Sequence, residues 1–502
     1  MISTLLVIAS LLIAVVLAAV FLERWSVPVI LVALGLGIVF GSDVLGLYDF
    51  SNIQLTSSVA NLALVFILFH GGFSTKRGDF RAVALPAGGL ATWGVILTAL
   101  FSFIVLRLLL DWPFELALLL SVIVSSTDAA AIFSILRRKP LQRQVASTVE
   151  IESAANDPMA ILLTALAVEA IASGAQLGIG IVASFAWKFI VGPLIGYLLG
   201  RATTALFSRL NPQDRQHYYV LFLGVVLFIF SVAELVEASG ILAVFVAGYV
   251  MGNRPFVHKQ AVFSFSAALS SIANIGMFVM MGLLVFPHQW VDLWWKGVVL
   301  FAVLTFVSRP LAVFLGTLGM HLPWRDRTFI AWAGLRGAVP VVLATYPAAA
   351  GLASGSEVFN LVCFVVLLSV AVQGSTLGPV ARLLGLSLPS RPSPAHSLEL
   401  ITMAESDLDL FVVDLPDPGE AKGPLIRDLK LPAGAVITLI SRGRQVLSPK
   451  GNTRLEGWDQ ITILAHACDE EAVTRALLEP FEAPPEAESA AAQPGGESSA
   501  SS

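Results

Sequence analysis

The chain has 502 residues, 56% of them hydrophobic and only 13% charged, and its mean hydropathy is +0.82. A water-soluble protein of this length carries roughly twice that charged fraction, so most of the chain belongs in a bilayer. The net charge of −5 selects no partner, and without a basic stripe, a finger or a helix-turn-helix pattern nucleic acid is not expected.

From the N-terminus onward, runs of about 20 mostly apolar residues, enough to cross ~30 Å of hydrocarbon, recur at thirteen places. They centre near residues 12, 34, 65, 97, 125, 159, 192, 226, 246, 274, 307, 338 and 370. Those near 246 and 338 are short or interrupted by Gly and Pro. The first run has no basic leader and no small-residue cleavage site, so it reads as a span and not as a signal peptide. Cys363 and Cys468 are too few for a disulfide framework and match no metal-ligand spacing.

Basic residues collect in alternate loops: Arg24; Lys76, Arg77 and Arg81; Arg137, Arg138, Lys139 and Arg143; Arg209 and Arg215; Arg254 and Lys259; Arg325 and Arg327; then Arg382. The intervening loops lean acidic, with Asp43, Asp49, Asp111, Glu115, Glu234, Glu237 and Glu357, and Lys296 as the exception. The positive-inside rule makes the basic set cytoplasmic. It puts the N-terminus outside and the C-terminus inside, which requires an odd number of spans.

Residues 1–387 therefore form the membrane domain. Residues 388–397 are a Pro/Ser linker, and 398–480 read as a small cytoplasmic α+β domain. Its β-type stretches are Asp409 to Val413 and Ala435 to Ser441, with Gly443 and Gly451-Asn452 among turn residues. Apart from Phe481 and Gln493, residues 481–502 are Ala, Pro, Glu, Gly and Ser without a hydrophobic pattern, as in disordered tails.

Polar residues within the spans carry the function. Glu152, Ser153, Asn156 and Asp157 recur at three- and four-residue steps, so they share one helix face. A carboxylate at that depth costs roughly 2.5–3.5 kcal/mol on insertion scales, which points to an ion or proton site at Asp157. Pro158 lacks an N–H and frees the carbonyl of Ala154. The fifth span is broken by Ser125-Ser126-Thr127-Asp128, and the twelfth by Gly334-Leu335-Arg336-Gly337-Ala338-Val339-Pro340. Two such breaks, one in each half, are what a crossed pair of discontinuous helices within an inverted repeat needs. Glu152 and Arg336 read as a buried ion pair joining two helices. Arg309 and Lys188 read as structural or snorkelling, Glu169, Glu234 and Glu237 as solvated, and Gly71-Gly72 as a close helix contact.

Four stretches carry a family resemblance: Phe69-His70-Gly71-Gly72, Ser126-Thr127-Asp128-Ala129-Ala130, Glu152 to Pro158, and Gly334-Leu335-Arg336-Gly337-Ala338. On these the chain resembles the NhaP-like monovalent cation/proton antiporters. The tail, through Pro424 to Gly434 and Gly457-Trp458-Asp459, resembles the TrkA-C regulatory domain. The combination points to the potassium/proton subgroup linked to cell-volume control.

The resemblance implies an all-α polytopic fold of about 13 transmembrane helices, a homodimer in the bacterial inner membrane, and a core bundle moving against a dimerisation domain. Asp157 would be the shared site for a proton or an alkali cation. Asp128 would contribute a ligand, and Asn156 would order Asp128 and the unwound crossing. Thr127, through its carbonyl, and Ser153 would complete the cation shell. Asn-Asp in place of Asp-Asp implies electroneutral exchange. K⁺, Na⁺ and H⁺ are the expected cargo, no cofactor is called for, and a small regulatory ligand for residues 398–480 stays open. Where relatives carry an acidic residue before Gly71-Gly72, this chain has His70, which titrates near neutral pH and so suits pH sensing, or a hydrogen-bonded core histidine. A sodium/proton antiporter with the same site is the nearest alternative. A ligand-gated cation channel is remote, since no TVGYG-type filter is present.

Overall fold

The computed structural model describes residues 2–22, 27–41, 43–46, 52–128, 132, 141–173, 179–210, 216–320, 322–387, 408–416, 423–443, 445–466 and 469–482. Cys468, the 388–397 linker, the Ala129-Ala130 motif positions and residues 483–502 lie outside them. Two compact units divide the chain, residues 1–390 and 391–502.

Among the described residues, the regular elements of the first unit are helices. In order come α1 (Ile2–Leu22), α2 (Val29–Phe40), α3 (Ile53–Ser74), α4 (Arg77–Gly89), α5 (Val95–Ile104), α6 (Phe114–Ile123), α7 (Arg143–Ser173), α8 (Ile179–Leu210) and α9 (Gln216–Leu235). They are followed by α10 (Gly240–Gly252), α11 (Lys259–Leu283), α12 (Trp290–Val303), α13 (Arg309–Gly316), α14 (Trp324–Trp332), α15 (Ala338–Leu343), α16 (Thr345–Ala349), α17 (Gly355–Ser369) and α18 (Ser375–Leu383). Single π turns, Leu90–Gly94, Leu304–Ser308 and Val370–Gly374, join α4 to α5, α12 to α13 and α17 to α18 without ending the rod. Among the described residues, eight helices are long and apolar enough to cross a membrane, and five shorter apolar helices fall at 8–22, 29–40, 114–123, 240–252 and 338–349. The chain is a multi-pass membrane protein.

By their packing the helices fall into two groups. α1, α2, α3, α8, α9, α10 and α11 pack on one another; α4 to α7 and α12 to α18 form the other set. Absent side chains draw the first group tight. A Cβ on Gly72 of α3 would lie 2.1 Å from the Phe245 carbonyl of α10, and one on Gly248 2.3 Å from the Phe69 carbonyl. Gly72 thus makes the expected close contact, whereas Gly71 faces open space. No larger residue allows these backbones to touch.

The second unit holds a four-stranded antiparallel sheet in the order β1-β4-β2-β3: β1 (Leu408–Asp414), β2 (Val436–Arg442), β3 (Gln445–Leu447) and β4 (Gln460–His466). Helix α19 (Glu470–Glu482) packs on β1 and β4 over a core of Phe411, Ile440, Ile461, Ile463, Val473 and Leu477. The Arg442 guanidinium grips buried Asp459 from two nitrogens, at 2.8 and 2.7 Å. That pairing holds Arg442 above the ordinary guanidinium range.

Candidate functional site

Helix α6 stops at Ile123, and Ser126, Thr127 and Asp128 follow with no regular structure. Helix α14 stops at Trp332, and the backbone stays non-helical until α15 begins at Ala338. The two breaks meet. The Asp128 N–H donates to the Leu335 carbonyl at 2.8 Å, and Arg336 Nη1 donates to the carbonyls of Ser125 and Ser126 at 3.0 and 2.6 Å. Each break therefore supplies the other with partners that helix geometry would have provided. The Asp128 side chain lies directly over Gly337, where a Cβ would come within 1.7 Å of Oδ2. Behind them the Arg336 N–H donates to Ser369 Oγ, whose hydroxyl donates to Gln373, whose amide donates to the Trp332 carbonyl.

Helix α7 runs past this crossing and presents its polar face to Thr127. Ser153 Oγ donates to the Thr127 carbonyl at 2.7 Å, and Asn156 Nδ2 donates to Thr127 Oγ1 at 2.7 Å. Asn156 Oδ1 also accepts from the Thr127 N–H at 3.5 Å. Asn156 thus brackets Thr127, within the unwound crossing it was expected to order. Ser153, Asn156 and Thr127 are buried, while Asp157 and Asp128 are half-buried. Asp157 Oδ1 is itself enclosed and has no hydrogen-bond partner among the described residues. Asp128 lies near enough to act on it electrostatically.

The ion pair differs from expectation. Glu152 meets Arg309 Nη2 at 2.6 Å, both side chains being almost wholly buried, so Arg309 does not snorkel. Arg336, the expected partner, points its Nη1 at the broken fifth span instead, within electrostatic reach of both Glu152 and Arg309. Arg309 follows a π turn and Gly334 leaves room for it, since a Cβ there would lie 2.8 Å from Arg309 Nε. Its signal in the sequence was a cation in mid-span before Pro310.

His70 sits apart from this crossing, between α3 and α11. Its Nδ1 is 2.9 Å from Ser266 Oγ and its Nε2 is 3.3 Å from Ser74 Oγ. Lys188 pairs with Glu169 at 3.6 Å. Glu234 accepts from the Gly240 N–H at the start of α10, a capping role beyond simple solvation.

The crossing holds several oxygen donors: the Asp128 carboxylate, the Thr127 carbonyl and the Ser153 hydroxyl, with Asp157 one turn beyond Ser153 on α7. Hard oxygens suit alkali cations. Residues 8–383 match the family model described as "Sodium/hydrogen exchanger, transmembrane". The chain is 35% identical over 455 residues to the K(+)/H(+) antiporter NhaP2 of Shewanella oneidensis, covering 90% of this chain and 79% of that one. It is 34% identical to the K(+)/H(+) antiporter NhaP of Alkalimonas amylolytica, covering 93% and 82%, and 29% identical to the Na(+)/H(+) antiporter NhaH of Halobacillus dabanensis, covering 63% and 79%. In fold it is similar to the sodium proton antiporter MjNhaP1 of Methanocaldococcus jannaschii, at TM-score 0.67 and 22% identity, over 76% of this chain and all of that one. The chain belongs to the sodium/hydrogen exchanger family of membrane cation/proton antiporters.

Proposed function

We propose that the chain exchanges K⁺ for H⁺ one for one, the two competing at Asp157. The unpartnered, enclosed Oδ1 of Asp157 carries the reading: a carboxylate oxygen left without a donor is costly unless a proton or a cation takes the place. Asp128, which acts on Asp157 electrostatically, and the hydrogen-bonded Thr127 carbonyl and Ser153 hydroxyl would supply further oxygens. Charge balance supports the stoichiometry. Among the described residues at the crossing, Glu152, Asp128 and Asp157 oppose Arg309 and Arg336, which leaves one negative charge. One proton or one alkali ion neutralises it, and a neutral site moves through a low-dielectric barrier most easily. The site then faces each side in turn as its helix group moves against the other.

Potassium is favoured by the K(+)/H(+) names of relatives that match over nine-tenths of the chain. Sodium is the second reading, favoured by the Halobacillus relative. Thirteen crossings, an outside N-terminus, a homodimer and a regulatory role for the second unit complete the proposal. Proteoliposomes carrying an imposed pH gradient test it. K⁺ should dissipate the gradient at lower concentration than Na⁺, with saturation and with an affinity that weakens in acid. Asp157→Asn should abolish the exchange, and wild-type exchange by that variant would sink the assignment.

A further inference from the structure

Among the eight long apolar helices, α8 faces outward most: only 11% of its apolar stretch is buried, against 61% for α7. Its glycines make a seam with α10. A Cβ on Gly196 would lie 2.2 Å from the Ala243 carbonyl, and one on Gly200 3.0 Å from Ala247 Cα, so the two backbones touch along it. The contacts advance together, 196 with 243 and 200 with 247, so the two helices run parallel and both end on the side marked by Arg209 and Arg254. Tyr197 and Arg201 each follow one of these glycines by one residue. They therefore form a ridge along one flank of the seam, and both are exposed.

Arg201 stands about 14 Å short of the helix end at Leu210. A guanidinium on an outward face at that depth is costly unless an anion or water meets it. Nor does it extend freely, as a snorkelling arginine does. Its Nη1 donates to Tyr197 Oη at 3.0 Å, and its guanidinium carbon lies 5.7 Å from the centre of the Tyr197 ring. Having accepted that bond, the hydroxyl keeps its own hydrogen, which finds no acceptor among the described residues. Arg254, exposed just past the end of α10, is near enough to act on Tyr197 electrostatically. Neither arginine has a carboxylate partner among the described residues. From α8 to α11 the chain carries three carboxylates: Asp214, outside the described residues, and Glu234 and Glu237, at the far end of α9. Two guanidiniums and a phenol hydrogen are thus gathered on one exposed flank without a counter-charge. A phosphate fits them, because guanidiniums take its oxygens through paired N–H donors. Depth selects the source. Basic pockets between membrane helices take acidic headgroups, and Leu194 and Leu198, exposed on the same helix, offer a surface for the acyl chains.

We propose that Tyr197, Arg201 and Arg254 bind the phosphate of an acidic phospholipid beside the α8–α10 seam, in the leaflet that the orientation above makes cytoplasmic. The site needs only the membrane placement of the chain and does not depend on which cation is exchanged. Native mass spectrometry of the full-length protein in neutral detergent tests it, with phosphatidylglycerol, phosphatidylcholine or inorganic phosphate added separately. The parent should retain one more phosphatidylglycerol per subunit than the Arg201→Ala, Arg254→Ala double variant, while both retain phosphatidylcholine equally. Arg209→Ala removes an exposed cation from the end of the same helix and should retain phosphatidylglycerol as the parent does. Tyr197→Phe keeps the ring, loses the hydroxyl hydrogen and should lower that retention at least twofold. Melting temperature gives a second reading: phosphatidylglycerol should raise the parent's by at least 3 °C and the double variant's by less than 1 °C, with no rise from inorganic phosphate. Undiminished retention by the double variant would overturn the proposal. So would an equal loss in Arg209→Ala, which would show a general attraction to the basic side, or an equal rise from inorganic phosphate, which would make the lipid unnecessary. A double variant that falls from dimer to monomer with its lipid unchanged would assign this flank to a second copy of the chain and overturn it too.

Discussion

Glu152 on α7 and Arg309 on α13 form a buried ion pair at 2.6 Å, behind the place where the two broken helices meet. Removing one partner of such a pair costs roughly 3–5 kcal/mol, because the other charge stays buried. Arg309→Ala should therefore lower the melting temperature of the detergent-solubilised protein clearly. Glu152→Gln with Arg309→Met should recover most of that loss, since neither charge is then stranded. A double variant as unstable as the single one would show that the pair is not the source of the cost.

Gly337→Ala should cut exchange at least tenfold while leaving the protein folded. The obstacle there is the Asp128 side chain, which its Cβ would strike. Thermal stability close to that of the parent, together with lost exchange, is the expected pattern. Wild-type rates from Gly337→Ala would mean that Asp128 need not sit where it does.

His70→Ala should shift the midpoint of the pH–activity profile by at least half a unit. Ser266 and Ser74 hydroxyls can accept from either ring nitrogen, so the contact between α3 and α11 holds the ring both neutral and charged. These contacts would let the ring change charge inside the first helix group without losing its partners. Superimposable profiles would reduce it to a packing histidine.

In the second unit, Arg442→Ala should destabilise the sheet by about 2–3 kcal/mol, less than a fully buried pair because Arg442 is 29% exposed. Asp459, wholly buried, loses two charge-assisted bonds. Faster hydrogen exchange at the amides of β4 and β2 in the full-length variant is the measurement, and unchanged exchange would contradict it.

The polar face of α7 could be read from spacing, because Ser153, Asn156 and Asp157 recur at helical steps in an apolar run, and mid-membrane polarity is too costly to be incidental. Both breaks were visible as Ser-Ser-Thr-Asp and Gly/Pro clusters. What spacing does not reveal is which of two buried cations, far apart in sequence, finds the carboxylate. Arg336 lies in a motif and drew the assignment, while Arg309 entered the pair through a π turn that only the fold shows. Asn156 bonds the broken span at Thr127, a contact across 29 residues that local pattern suggests only through the resemblance. The last strand, Gln460 to His466, and helix α19 went unread, being short elements defined by the sheet they complete.

The bond from Ser153 to the Thr127 carbonyl has a consequence for how an ion is admitted. That carbonyl accepts the Ser153 hydroxyl hydrogen, so the break keeps its Thr127 acceptor paired across to α7. Were these two oxygens to ligate a cation as proposed, one turn of the Ser153 hydroxyl would free a lone pair on each of them for it. Loading would then be a substitution in place, against a backbone already set by its bonds to α7.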